Sequence, residues 1–269
     1  MATLYFNSNT AGGGFDGDWS NPSNWWSDDL FTIPAGVTPI VIDDAIINDS
    51  VLLDTTGLAS AIGVNECTFR GGVTFDPNGI GLTLTTQANA QFYDSCANYG
   101  NIANIGNAAF HDSSFNGGTA TGNATFNDSS FNGGTAAGGA TFNDSSINGG
   151  TVTGGATFND SSFNTFYATV IGDATFNDSS FNSGLVTGNA TFNNSSFNNS
   201  GLVTDATFND SSYNQGTVSG NATFNGPYLG SRVGGTYNGQ VILNMTCPAS
   251  AGSDQTIARL LNLPFFINL

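Results

Sequence analysis

Residues 124–134 read Ala-Thr-Phe-Asn-Asp-Ser-Ser-Phe-Asn-Gly-Gly, and the phrase returns at 140–150 with Ile147 in place of the second Phe. Aligned on the first aromatic, the copies place Phe110, Phe126, Phe142, Phe158, Phe176, Phe192, Phe208 and Phe224 at intervals of 16 residues, with one interval of 18. A second position follows five residues later, at Phe115, Phe131, Ile147, Phe163, Phe181, Phe197 and Tyr213. A third, small or β-branched, holds Ala120, Ala136, Val152, Val170, Val186, Val203 and Val218. The longer unit carries its extra pair inside Asn164-Thr165-Phe166-Tyr167-Ala168, so a loop absorbs it.

Gly, Asn, Asp, Ser and Thr dominate the unit, and these favour caps and turns over helix interiors. The aromatic spacing fits neither the 3.6-residue period nor a heptad. Short strands fit, because side chains alternate between faces. In Ala-Thr-Phe-Asn the Phe points in while Thr and Asn point out. Asp-Ser turns the chain, Ser-Phe-Asn makes a second side, and Thr-Val-Thr a third. The expected fold is all-β: a three-sided parallel β-helix, or β-solenoid, of about 16 residues per coil. Coils stack at roughly 4.8 Å, so eight span roughly 38 Å. On this reading both Phe rows stack inside as ladders, and the Val/Ala row fills the third corner.

Four regions follow. Residues 1–34 hold Trp19, Trp25 and Trp26 and read as an N-terminal cap. Residues 35–105 read as irregular coils, with short strands at 39–42, 45–47, 50–53, 68–69, 72–75 and 81–84. Residues 106–245 are the regular repeat. Residues 246–269 are a C-terminal cap and tail, with a short helix over 253–263 stopped by Pro264. The apolar tail, Leu263, Phe265, Phe266, Ile267 and Leu269, is a candidate oligomer contact.

Composition narrows the function. Only 9% of the 269 residues are charged, the net charge is −17, and the only cations are Arg70, Arg232 and Arg259. Such a chain cannot neutralise a run of phosphates, which argues against nucleic acid, and an anionic membrane surface repels it. No apolar run is long enough to span a bilayer. The N-terminus lacks the basic and apolar regions of a signal peptide, so either release takes another route or a leader has been removed. Cys67, Cys96 and Cys247 are odd in number and lack CxxC spacing, which supports neither a disulfide framework nor a zinc site.

Asp18-Trp19-Ser20-Asn21-Pro22-Ser23-Asn24-Trp25, followed by Pro34 and Asp43-Asp44-Ala45-Ile46-Ile47, resembles the start of right-handed parallel β-helix proteins of bacterial surfaces and phages. The repeat itself resembles the FNDSS-type solenoid repeats of large surface or virion proteins. The resemblance implies a phage tail fibre, spike or head decoration, or an adhesin. The phrase is also similar to pentapeptide repeats, but 16 residues per coil depart from that family's four fives, and a left-handed hexapeptide helix wants 18.

Parallel β-helices often cleave polysaccharides, so catalysis must be weighed. The arginines are scattered, Glu66 is the only glutamate, and the lone His111 stands where later coils carry Asn127, Asn143 and Asn159. A glycosidase needs two carboxylates flanking one bond, and no hydrolase or phosphate-loop motif is present. The expected protein is therefore not an enzyme and carries no cofactor.

Two other patterns invite ligands. Asp112, Asp128, Asp144, Asp160, Asp178 and Asp210 form one row, whose neighbours repel by roughly 0.9 kcal/mol in bulk water. Calcium along Asp128, Asp144 and Asp160 could offset that, against the simpler reading of exposed Asx turns. The outward Thr-x-Asn grid, including Thr125, Asn127, Thr141, Asn143, Thr157 and Asn159, resembles the ice-binding face of β-solenoid antifreeze proteins. The loop aromatics Phe166 and Tyr167, with Tyr228 and Tyr237, are the candidate contacts for a glycan or a protein partner. The leading expectation is a structural or adhesive surface protein, homo-oligomeric, on a virion or outside the cell. Ice binding, a bacterial adhesin and a polysaccharide-degrading enzyme are the alternatives.

Overall fold

A computed structural model describes residues 2–6, 22–27, 35–36, 38, 44–47, 61–64, 66–75, 83–86, 88–104, 106–227 and 234–246. The N-terminal segments 7–21 and 28–34, the expected strands at 39–42 and 50–53, the C-terminal helix and the apolar tail lie outside them. The chain divides into two compact units, Met1–Ala140 with Gly150–Thr153, and Thr141–Gly149 with Gly154–Leu269. Each is a three-sided parallel β-solenoid, and the only helix among the described residues is a single 3-10 turn at Pro22–Asn24.

In the first unit, the first sheet runs from Thr3–Phe6 through Asp44–Ile47, Glu66–Phe69, Ala90–Phe92 and Asn107–Phe110 to Asn123–Phe126, all parallel. Trp25–Trp26 pairs antiparallel on the outer side of Thr3–Phe6. The cap region thus begins as a sheet strand, and Phe6 meets the buried Trp25 edge-on at 5.1 Å. In the second unit the corresponding sheet runs in register through Ala156–Phe158, Ala174–Phe176, Ala190–Phe192, Ala206–Phe208, Ala222–Pro227 and Val241–Thr246.

The first-sheet Phe row is buried as expected. Phe92 stacks on Phe110 at 4.8 Å in the first unit, and Phe158 on Phe176 at 4.7 Å in the second. The inward Ala and Val rows are buried too. Such ladders bury apolar area that no single coil could bury alone.

The second side departs from expectation. Its Phe row faces outward, and the residues on either side of it, Ser and Asn, face in: Ser130 and Asn132, Ser162 and Asn164, Ser180 and Asn182 are fully buried. The cause is parity: five residues separate Phe126 from Phe131, so alternation carried across the corner puts the two on opposite faces. Asp128 and Ser129 both sit at positive φ, 53° and 63°, and Ser130 N–H donates to Asn127 C=O at 3.1 Å. That is the pattern of a type I′ turn. The two left-handed residues turn their own side chains to solvent, and beyond them the alternation set by Phe126 continues, with Ser130 and Asn132 inside and Phe131 outside. The same corner recurs along the chain, from Asp94-Ser95 to Asp178-Ser179 and Asn194-Ser195. Each left-handed non-glycine residue costs about 1–2 kcal/mol, so neighbouring coils must hold the corner in place. Ser161 N–H, for example, donates to Asp178 C=O of the next coil at 3.1 Å.

An amide ladder offsets the polar interior. In the first unit Asn98 donates to Asn116 and Asn116 to Asn132, at 2.7 and 2.8 Å. In the second, the chain of donation runs Asn148, Asn164, Asn182, Asn198, Asn214. Glycine is needed beside it for proximity rather than for φ: a Cβ on Gly184 would lie 2.3 Å from Thr165 O and 2.5 Å from Ala168 O.

Candidate functional surface

The Thr-x-Asn grid lies on the outer face of the first sheet. Thr125 and Asn127 belong to the first unit, and Thr141, Asn143, Thr157 and Asn159 to the second; all are half-buried. The asparagines are committed to one another. Asn159 donates to Asn143 at 2.8 Å, Asn177 to Asn159, and the row continues through Asn193, Asn209 and Asn225 to Asn244. Donation here runs toward the N-terminus, opposite to the interior row. The threonines, in register at Thr175, Thr191, Thr207 and Thr223, line a groove of about 600 Å³ walled by Asp173, Asn189, Asp205 and Asn221. Asp173 and Asp205 accept the backbone N–H of Asn189 and Asn221 at 2.7 and 2.6 Å.

The corner aspartates Asp128, Asp144 and Asp160 are exposed. Among the described residues no group of three or more His, Cys, Asp or Glu is placed to hold a metal ion. Cys67 and Cys96 are buried and free. Burial, with the Glu66 charge beside it, pushes the Cys67 thiol well above its usual range.

His111 is better placed than its sequence suggested. Its ring stacks on Tyr93 at 4.7 Å, and Asn127 Nδ2 lies 3.2 Å from its Nδ1, so it takes one place in the outer amide row. Arg70 sits 5.2 Å over the other aromatic of this group, Tyr93, whose hydroxyl donates to Gln91, and Gln91 donates to Glu66 at 2.5 Å. Ala109 floors a polar pit of about 290 Å³ between Gln91, Asn107 and His111. Sequence reasoning missed this group because the coils here are irregular. The available signal was Ala109 and Gln91 in the slot that later coils fill with Thr.

Phe166 and Tyr167 are 66% and 89% exposed, with their rings at 88° and 5.2 Å. They occupy a turn closed by Ala168 N–H donating to Thr165 C=O at 3.1 Å, as the loop reading required. Two more apolar side chains are exposed on the same unit, Ile171 and Leu202. Leu202 pairs with half-buried Leu185, in the outward row that holds Thr169 and Thr217. These departures from the repeat lie in consecutive coils, a signal visible in the sequence but not used.

Tyr237, an expected contact residue, is half-buried. It takes the inward register of Val218 and meets Phe224 edge-on at 6.2 Å, and burial raises its phenol pKa. Tyr228 and the tail residues Leu263, Phe265, Phe266, Ile267 and Leu269 lie outside the described residues. The chain matches no family model, no curated protein and no solved structure, so its β-solenoid fold stands on its own residues.

Proposed function

We propose that the protein is a non-enzymatic structural or adhesive component of a surface, of the kind a phage tail fibre, spike or head decoration provides. The observation that carries this reading is the break in the repeat at Phe166-Tyr167. Solenoid coils hold a contact site on a packed scaffold, and an exposed aromatic pair is the side-chain type that anchors interfaces. Ile171 and Leu202 are further exposed apolar side chains of the same unit. The partner on this reading is another surface protein or a glycan receptor, met on a virion or outside the cell, with the chain acting as an oligomer.

The test is co-sedimentation of the purified chain with particles or cells of its source. Binding lost in Phe166→Ser/Tyr167→Ser, with unchanged circular dichroism, supports the proposal. A monodisperse monomer that associates with neither overturns it.

A second reading, ice binding, rests on the in-register threonines. Thermal hysteresis abolished by Thr191→Tyr would favour it over attachment, and none at high concentration would end it.

A further inference from the structure

The outward aromatic row of the second side has no role in the fold's interior. In the second unit it is a stack: Phe163 on Phe181 at 4.7 Å, Phe181 on Phe197 at 5.2 Å, Phe197 on Tyr213 at 4.8 Å, with ring planes within 17° of parallel. All four rings are part-exposed. Three coil spacings make a stripe roughly 14 Å long. Three residues before each ring stands the corner position: Asp160, Asp178, Asn194 and Asp210, all exposed. Asn194 Nδ2 donates to Asp178 at 3.1 Å. No lysine or arginine occurs among the described residues of this unit. The aromatic stripe therefore runs beside an acidic rail that no basic side chain among the described residues neutralises.

We propose that this face binds flat aromatic cations lengthwise along the stripe. A rigid planar molecule covers several ring edges at once and loses little conformational freedom in doing so. The rail supplies the sign of the charge: a cation is attracted and an anion repelled, both more strongly at low salt. Occupancy requires no rearrangement, because the backbone register already sets the ring spacing. This site is independent of the Phe166-Tyr167 turn.

Thioflavin T, a planar benzothiazolium cation, is the probe, titrated into full-length protein shown by sedimentation to be free of aggregates. The expected result is a saturable fluorescence rise that weakens as salt is added. Phe181→Thr/Phe197→Thr should weaken binding about tenfold. Phe181→Leu/Phe197→Leu, which keeps apolar bulk, should do the same and covers the case in which the Thr pair misfolds. Asp178→Asn/Asp210→Asn should weaken binding several-fold and flatten its salt dependence. Congo red, planar but anionic, should bind far more weakly. Absence of saturable binding, full binding by the folded Leu pair, or equal binding of Congo red would each overturn the proposal.

Discussion

Asn164 Nδ2 donates to Asn182 Oδ1 at 2.8 Å, in an interior that neither side chain shares with solvent. Asn182 also accepts the Gly184 N–H, and donates to Asn198 Oδ1 and to Gly184 C=O. Its amide thus fills all four of its hydrogen-bonding positions.

Asn182→Ala should therefore cost about 2–4 kcal/mol. It opens a cavity and strips a partner from both Asn164 and Asn198. Asn182→Leu should not rescue the loss, since it restores volume without the hydrogen bonds. Urea denaturation of the three proteins measures this, and a stable Leu variant would show that the ladder only fills space.

The buried serines should behave in the opposite way. The Ser180 hydroxyl is buried and has no hydrogen-bond partner among the described residues, and the same holds for Ser130. The same inward slot is filled by Cys96, a weaker hydrogen-bonding group. Ser180→Ala should leave stability unchanged or raise it by up to about 1 kcal/mol. A lower denaturation midpoint would mean the hydroxyl has a partner.

Ser179 sits at φ 67° in the corner. Ser179→Val should cost about 2–3 kcal/mol, because a β-branched residue resists the left-handed region. Ser179→Gly should cost almost nothing. The contrast between the two in thermal melts isolates backbone strain from any side-chain contact.

The thiols give a pH prediction. The folded Cys67 pKa is raised above its ordinary value near 9 by burial. The folded state keeps its proton while the unfolded chain loses its own. This contribution to stability is complete below pH 9 and falls as pH rises beyond it. Alkylation of Cys67 at pH 8 should accordingly track unfolding of the first unit. Rapid labelling of folded protein would place the thiol in solvent.

The coil was legible in the sequence where identity of position mattered. The 16-residue interval from Phe126 to Phe142 settled the solenoid, and the loop at Phe166-Tyr167 followed from the one longer interval. Facing was harder. Alternation from Phe126, carried straight through Asp128-Ser129, puts Ser130 and Asn132 inside and Phe131 outside, whereas residue hydrophobicity alone argues for the opposite. Tolerance within the chain agrees with the alternation. The outward slot accepts Phe131, Ile147, Tyr213 and Ala97, whereas the next position is Asn in every one of those coils. Only at Phe75, before the ladder begins, does another residue take that slot, and from Asn98 onward amide is bonded to amide. The group around His111 was hidden for another reason: registration across irregular coils, Tyr93 against His111 and Gln91 against Ala109, is a tertiary fact.

The inversion of the second side is tested most directly by two serine substitutions in one coil. Phe176 is fully buried and Phe181 is part-exposed. Measured by equilibrium denaturation, Phe176→Ser should cost about 3–5 kcal/mol or unfold the unit, and Phe181→Ser only about 1 kcal/mol. Equal losses would contradict the account, because they would put both aromatic rows in the core.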